Sequence, residues 1–144
     1  MPLLNKHIID NLNIDWSGAE RLIRHLHENN VPIAVATSSA RKMFNLKTSS
    51  KHSEVFKLFS HIITGDEVSA AKPSPEIYKV ASEKFNSHDP RCLVFEDAPN
   101  GVTAGIEAGM QVVMVPSDKV TKQYLLPATQ VIQWIKGSKR FHNS

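Results

Sequence analysis

The sequence predicts an α/β domain in which helices cover both faces of a parallel sheet. Three short apolar runs, at residues 31–37, 93–95 and 112–115, have the length and composition of strands that are buried on both faces. Segments with the periodicity of helices separate these runs. Strands that alternate with helices are typical of a parallel sheet with right-handed crossovers, so we expect a three-layer architecture.

Local patterns predict the other elements. Residues 3–14 carry apolar residues at helical spacing, and Ser17 and Glu20 form a capping-box pattern before a helix expected over residues 18–29. Ser74 as N-cap and Pro75 at the first helical position predict the start of a helix, in which apolar residues recur at helical spacing over residues 77–85. The remaining expectations are a strand at 61–64, a helix at 99–109, a short helix from residue 117, an edge strand at 129–132, and a frayed polar tail from residue 137.

Composition excludes several classes of function. The chain has 144 residues, 41% of them hydrophobic, and a net charge of +3 with scattered basic residues. There is no run of apolar residues long enough to cross a membrane and no basic stripe typical of nucleic-acid binding. The histidines are dispersed, so no zinc site is expected. Cys92 is the only cysteine, which excludes an internal disulfide and favours a reducing, cytoplasmic compartment.

Two adjacent carboxylates, Glu96 and Asp97, follow the apolar run at 93–95. Ligands of doubly wound folds bind at the carboxyl ends of such strands. Carboxylate oxygens are ligands that Mg²⁺ prefers, so this pair is a candidate metal site. The alternative is a polar strand end that merely caps the next helix.

Two further polar clusters are expected near the same edge of the sheet. Thr37 and Ser38 end the strand at 31–37, and Lys72 lies in the loop after the strand at 61–64. Hydroxyl groups and backbone N–H groups bind phosphoryl oxygens, and a lysine ammonium offsets their charge. Hydroxyl, lysine and acidic pair together predict a site for a small phosphorylated metabolite with Mg²⁺ as cofactor. Each cluster alone is also explained by a helix cap or a loop charge.

The chain resembles the haloacid dehalogenase-like phosphohydrolases, and within them the pseudouridine-5′-phosphatase-like branch. The resemblance implies a Rossmann-like core and covers most of residues 17–135. The segments that carry it are 36–39 (ATSS), 46–49 (LKTS), 58–63 (LFSHII), 72–77 (KPSPEI), 92–102 (CLVFEDAPNGV) and 108–116 (AGMQVVMVP).

This resemblance implies a role for each candidate residue. Thr37 would bind the transferring phosphoryl group, with Ser38 beside it, and Lys72 would steady the nucleophile and the phosphate. Glu96 and Asp97 would be the acidic pair, with Asp97 the surer Mg²⁺ ligand. The sequence departs slightly from the family at Ala71, where relatives usually have glycine.

A larger departure concerns the nucleophile. The family hydrolyses phosphomonoesters through a phosphoaspartate, formed on the first aspartate of an Asp-x-Asp motif after the first strand. The six aspartates of this chain include no pair separated by one residue. We therefore expect residues 1–16 to be a remnant of the helical cap, 17–136 a partial core without its first, central strand, and 137–144 a tail. The chain would be an N-terminally truncated, inactive phosphatase.

A missing central strand would leave two interior strand edges with unpaired backbone groups. Each buried unpaired group costs about 1–3 kcal/mol, against a domain stability of roughly 5–15 kcal/mol. We therefore expect the edges to close on each other, to take a strand from another chain through self-association, or to leave the protein poorly folded. The functional alternatives are a non-catalytic module that binds Mg²⁺ and phosphate, or a truncated product with no function of its own.

Overall fold

The protein was analysed as a computed structural model that describes residues 2–5, 16–49, 53–85, 91–115, 130–135 and 138–143. Five helices alternate with seven strands in this part of the chain. The strands are β1 (Pro2–Asn5), β2 (Ala34–Ala36), β3 (His61–Ile63), β4 (Leu93–Glu96), β5 (Gln111–Met114), β6 (Gln130–Ile135) and β7 (Ser138–Asn143). The helices are α1 (Trp16–Glu28), α2 (Arg41–Thr48), α3 (Ser53–Phe56), α4 (Glu76–Lys84) and α5 (Pro99–Glu107), and a 3₁₀ turn spans Gly65–Glu67.

The described strands form one sheet in the order β3-β2-β1-β4-β5-β6-β7. All neighbouring pairs are parallel except β6 and β7, which are antiparallel. The predicted parallel α/β fold is therefore confirmed. Strands β2 and β4 end close to each other on either side of β1, which brings the two loops after them to the same edge of the sheet.

Hydrophobic cores on the two faces of the sheet complete the three layers. Val94 and Val112 belong to one core, and their chain neighbours Phe95 and Val113 belong to the other, as the alternation of side chains along a strand requires. Helices α4 and α5 contribute to the first core, whereas α1, α2 and α3 contribute to the second. Strands β2, β4 and β5 are mostly apolar on both faces, as expected for strands that are covered on both sides.

The centre of the sheet differs from the expectation. We expected the strands at 31–37 and 92–96 to flank a gap or to contact each other, but β1 pairs with both of them. Leu3 lies opposite Ala34 on one side and opposite Val94 on the other. The helix indicated by the spacing at residues 3–14 is therefore wrong for residues 3–5, which form part of the sheet. The rest of that predicted segment lies outside the described residues.

Physical reasons for this error lie in the length of the segment. Periodicity does not separate a short apolar run that forms a strand from one that forms a helix. Pairing on two sides supplies hydrogen bonds to backbone groups that would otherwise remain unpaired, so an extended conformation is favoured there. The interior edges that motivated the expected self-association are thereby paired by β1, and self-association itself stays a prediction.

The last described segment of the chain also differs from the prediction. The tail from residue 137 was expected to fray, yet Ser138–Asn143 pairs antiparallel with the whole of β6. A polar sequence carries little strand signal, but its pairing gives β6 a second partner. The strand predicted at 129–132 is found at Gln130–Ile135, although not at the edge of the sheet. The short helix predicted from residue 117 lies outside the described residues.

Smaller differences affect the helix ends. Helix α1 begins at Trp16, two residues before the predicted start at Gly18. Helix α4 begins at Glu76, although its N–H group still lies 3.4 Å from the Ser74 hydroxyl. Within the described residues, no helix combines the length and the apolar character that a membrane span requires.

The central position of β1 leads to a testable prediction. In Leu4→Pro, the backbone loses the N–H group that faces a neighbouring strand, so the free energy of unfolding should fall by about 2 kcal/mol or more. Urea denaturation followed by circular dichroism measures this change. Leu4→Val, which keeps the N–H group, is the control. Equal stability of the two variants would show that residue 4 does not pair in the sheet.

Candidate phosphate-binding site

The carboxylate of Glu96 lies at the centre of the candidate site. Glu96 is the last residue of β4, and its side chain is fully buried. Its Oε1 atom accepts hydrogen bonds from the Lys72 ammonium, at 2.8 Å, and from the Tyr78 hydroxyl. Its Oε2 atom accepts from the backbone N–H groups of Asp97 and Ala98, at 3.1 and 3.3 Å. These four donors match the roughly four acceptor positions of a carboxylate.

A glycine makes room for this carboxylate. A Cβ atom built on Gly101 would lie 1.8 Å from Oε1 and 2.2 Å from Oε2 of Glu96. Gly101 belongs to the first turn of α5, so the carboxylate is packed against the amino-terminal end of that helix. A negative charge is stabilised at this end of a helix by the helix dipole. The contact therefore depends on two residues, the glutamate at position 96 and the glycine at position 101.

Lys72 reaches the site from the loop before α4. Its Nζ atom lies 3.2 Å from the carbonyl oxygen of Ala36, the last residue of β2, and 4.8 Å from the centre of the Tyr78 ring. The side chains of Lys72 and Glu96 are 6% and 0% exposed, so the ion pair is shielded from water. Removing one partner of such a pair costs about 3–5 kcal/mol, because the other charge stays buried and unpaired.

Glu76 braces the loop that carries Lys72. Its carboxylate oxygens accept hydrogen bonds from the N–H groups of Ser69 and Ala70, at 2.9 and 2.8 Å. The hydrogen bond from Ser69 and then that from Ala70 lower the pKa of Glu76 below its usual value, because both favour the charged form. The start of α4 therefore fixes the loop upstream of it.

Thr37 and Ser38 form the loop directly after β2. Thr37 is fully buried, and its N–H group donates to the carbonyl of Ile63 at 2.9 Å. Its Oγ1 atom accepts from the N–H group of Ser39 at 3.2 Å, whereas Ser38 is exposed. The backbone of Gly65 packs closely on this loop, since a Cβ atom there would lie 2.3 Å from the carbonyl oxygen of Ser38.

A polar cluster that was not predicted from the sequence holds this loop in place. The backbone N–H group of Arg41 donates to the Asp66 carboxylate. The guanidinium of Arg41 donates to the carbonyl of Ile62 at 2.7 Å and to the carboxylate of Glu67 at 2.8 Å. Thr64 and Glu67 cap the 3₁₀ turn reciprocally. This capping box has the sequence signature of a hydroxyl residue with glutamate three residues later, so it could have been found.

Electrostatics in this cluster favour charged carboxylates. The Thr64 hydroxyl, and after it the Arg41 N–H group, lowers the pKa of Asp66. Burial acts to raise the pKa of Glu67, but the hydrogen bonds from Thr64 and the charge of Arg41 outweigh it, and the pKa is lowered. Burial and the charge of Glu96 raise the pKa of Tyr78 well above its usual value, so the Tyr78 hydroxyl keeps its proton.

The structure brings several of the predicted site residues together. Lys72 contacts Glu96 and the residue before Thr37, as expected for loops at one edge of a parallel sheet. Asp97 is half-buried, one residue beyond the end of β4. The carboxylate oxygens of Glu96 accept four hydrogen bonds, and its role as a metal ligand stays a prediction. Metal binding by Asp97 stays a prediction.

The carboxyl end of the central strand lies next to the loop at Thr37. Strand β1 ends at Asn5, which lies opposite Ala36 in the register of the sheet. This position is one residue before Thr37 on the neighbouring strand. An asparagine amide does not attack phosphorus as a carboxylate does.

The described residues contain no group of three or more histidine, cysteine or acidic side chains arranged to hold a metal ion.

Comparisons with known proteins support the same family. A family model described as haloacid dehalogenase-like hydrolase matches residues 5–109. Over 120 residues, the chain is 51% identical to a probable pseudouridine-5′-phosphatase of Drosophila melanogaster, an alignment that covers 80% of this chain and 52% of that protein. It is 47% identical over 120 residues to (DL)-glycerol-3-phosphatase 1, mitochondrial, of Arabidopsis thaliana, with 80% of this chain and 40% of that protein covered.

A solved structure extends the likeness to three dimensions. The crystal structure of a HAD family hydrolase from Deinococcus radiodurans R1 with bound phosphate and sodium superimposes with a TM-score of 0.71 at 27% identity. The superposition covers 82% of this chain and 53% of that one. The chain spans about half the length of the curated relatives it matches. The resemblance predicted from the sequence motifs is confirmed.

The fit of Gly101 against Glu96 predicts a destabilised variant. In Gly101→Ala, the new methyl group must displace the carboxylate of Glu96, so the free energy of unfolding should fall by about 2 kcal/mol or more. This loss would occur although alanine favours a helix by about 1 kcal/mol over glycine. Urea denaturation measures the change. Thr103→Ala, at an exposed position of the same helix, is the control. Equal free energies of unfolding for Gly101→Ala and Thr103→Ala would contradict the close contact between Gly101 and Glu96.

Glu76 predicts a pH dependence of stability. Because its pKa is lowered in the folded state, its contribution is fully present above the unfolded value of 4.5 and is lost as the pH falls through the folded value. We expect Glu76→Gln to be less stable than the unmodified chain at pH 7 and to differ less from it at pH 3. Thermal unfolding at both pH values measures this. Glu83→Gln, at an exposed position of the same helix, is the control. If its stability relative to the unmodified chain changes with pH as much as that of Glu76→Gln, the hydrogen bonds from Ser69 and Ala70 do not cause the pH dependence.

Proposed function

Because the chain belongs to the haloacid dehalogenase-like hydrolases, we propose that its described residues form the phosphate-binding half of a phosphomonoesterase site. The observation that carries this proposal is the buried ammonium of Lys72, held 2.8 Å from Glu96 and 3.2 Å from the carbonyl oxygen of Ala36. A fixed cation beside the hydroxyl loop at Thr37 and Ser38 is suited to the oxygens of a phosphoryl group.

Each residue of this half-site has a separate task. The Lys72 ammonium has three donors, of which two are directed to Glu96 and Ala36, and the third would take a phosphoryl oxygen. The loop at Thr37 and Ser38 would add hydroxyl and backbone donors from the neighbouring strand. Because Lys72 and its loop are fixed before the ligand arrives, little reorganisation would be needed on binding.

The proposed substrate is a small phosphorylated metabolite. Pseudouridine 5′-phosphate is the first candidate, because the Drosophila relative is named as a probable phosphatase for that class of compound. Another sugar, polyol or nucleotide phosphate is the alternative, since the Arabidopsis relative is named a glycerol-3-phosphatase. Hydrolysis in the family passes through an aspartyl-phosphate, and this chain has no Asp-x-Asp motif. We therefore propose that the chain by itself binds such compounds without hydrolysing them.

Asn5 favours a second candidate, a non-catalytic module that holds phosphate. The central strand is present and ends in an amide, so the sheet can close and the half-site can form without a nucleophile at that position. A chain of this kind would act by binding a phosphorylated compound. The two candidates share the Lys72 half-site and differ in whether a nucleophile is ever supplied to it.

A Mg²⁺ ion, which the family uses, fits the described residues only in part. Asp97 would be its ligand, but the oxygens of Glu96 are already engaged by four donors. When bound, such an ion offsets the charge of the phosphoryl oxygens. With one carboxylate of this pair already engaged, the described acidic residues do not make a complete Mg²⁺ site.

We also propose a reducing, cytoplasmic compartment for the protein. Cys92 is buried as a free thiol, and its Sγ atom donates to the hydroxyl of Ser82 at 3.6 Å. A single buried thiol without a disulfide partner is typical of proteins from reducing compartments.

Phosphate binding tests the proposed function. We expect the purified chain to bind inorganic phosphate, and we expect Thr37→Val and Lys72→Met to weaken this binding by roughly tenfold or more, the effect of losing a hydrogen bond to a charged group. Isothermal titration calorimetry measures the affinity. No turnover of pseudouridine 5′-phosphate or of an aryl phosphate is expected with Mg²⁺ present.

Controls separate binding from folding. Lys57→Met removes an exposed lysine that pairs with Glu54, so it should leave phosphate affinity unchanged. Thr37→Val keeps the shape of the side chain and remains informative if Lys72→Met fails to fold. Equal phosphate affinity in all variants would contradict the half-site. Turnover that disappears in Asp97→Ala would contradict the claim that the chain needs a further nucleophile.

A further inference from the structure

We propose that Tyr78 is a positioning residue of this site, which holds the Glu96–Lys72 pair so that the Lys72 ammonium remains directed to the carboxyl ends of β2 and β4. The inference rests on the proposed function, because its consequence is the affinity for a phosphoryl group. No sequence pattern selects Tyr78, which lies at an apolar position of α4 among core residues.

Tyr78 contacts both members of the ion pair. Its side chain is fully buried, and its hydroxyl donates to Oε1 of Glu96, the same oxygen that accepts from Lys72. The face of its ring lies 4.8 Å from the Lys72 ammonium, within the range of a cation–π interaction. A single side chain therefore fixes the carboxylate by its hydroxyl and the ammonium by its ring.

A buried hydroxyl requires an explanation at this position. Phenylalanine would fill the same volume without a polar atom to be satisfied, whereas the tyrosine hydroxyl needs a partner once water is excluded. Tyr78 finds that partner in the fully buried carboxylate of Glu96. Its neighbours on α4, Ile77 and Ala81, are apolar and buried, so the hydroxyl is specific to the contact with Glu96.

The balance of donors and acceptors shows what the hydroxyl does for Lys72. The Glu96 carboxylate receives four donors, two from side chains and two from backbone. Without the Tyr78 hydroxyl, one acceptor position of Oε1 would be left buried and open. The charged donor already in contact with that oxygen is Lys72, whose ammonium would turn further towards Glu96. The donor that the proposed function reserves for phosphate would then be drawn away from the strand ends.

Tyr78→Phe tests this inference, since it removes the hydroxyl and keeps the ring. The control is Ser82→Ala, which removes another buried hydroxyl one turn later on α4, where Ser82 accepts from Cys92. Two quantities are measured in the full chain. The first is the ¹⁵Nζ resonance of Lys72 by nuclear magnetic resonance, which reports the geometry of the ammonium without any ligand. The second is the affinity for inorganic phosphate by calorimetry.

We expect Tyr78→Phe to shift or broaden the Lys72 ¹⁵Nζ resonance and to weaken phosphate binding roughly fivefold, the effect of one modest hydrogen bond. Ser82→Ala should change neither quantity. An unchanged Lys72 resonance in Tyr78→Phe overturns the inference, even if the variant is less stable. If the unmodified chain binds no phosphate while the resonance responds to Tyr78→Phe alone, the positioning role stands and the proposed function fails.

Discussion

The buried ion pair between Glu96 and Lys72 is the interaction on which the candidate site depends. It joins the end of β4 to the loop before α4, and the two bonds that Glu96 accepts from backbone N–H groups lie at the amino-terminal end of α5. A charge pair removed from water is not a source of net stability by itself, because desolvation offsets much of the attraction. It does penalise any arrangement that leaves one member unpaired. The free energy lost when the pair is broken therefore favours the observed positions of the loops that carry Lys72 and Glu96.

Around this pair, two further carboxylates accept hydrogen bonds from the backbone. Glu76 accepts from two N–H groups of the Lys72 loop, and Asp66 accepts from the N–H group of Arg41 beyond the hydroxyl loop. Each bond places a negative charge where a backbone donor would otherwise be unpaired. As a result, these acids near the site are used to shape its loops. The loops that carry Thr37 and Lys72 are the ones that they hold in place.

Strong, extended sequence patterns predicted the buried part of the fold correctly. The buried strands at 31–37, 93–95 and 112–115 were found because runs of β-branched and apolar residues between turn residues leave few alternatives. The proximity of Lys72 to Glu96 was predicted by the rule that loops after parallel strands meet at one edge. Strands β1 and β7 were missed, because a short apolar run and a polar run acquire their conformation from partner strands.

The hydrogen-bond partners of Glu96 could not be predicted from the sequence. The glycine five positions after Glu96 and the tyrosine on α4 complete the pocket for its carboxylate, but they are recognisable only once α4 and α5 are known to lie on the same face. Adjacency in sequence alone indicated a pair of metal ligands, and that role stays a prediction for both residues.

The central strand β1 has one role in the fold, and the residue that follows such a strand has a different role in catalysis. Pairing of β1 with β2 and β4 uses backbone groups, so it does not require an acidic side chain at the end of the strand. Phosphoryl transfer in the family instead needs the first aspartate of an Asp-x-Asp motif, which the sequence does not contain. The Lys72–Glu96 pair and the loop at Thr37 are built from other elements, and nothing in their described contacts requires an aspartate on β1. The proposed binding of a phosphoryl group by Lys72 and the loop at Thr37 therefore does not depend on the residue at the end of β1.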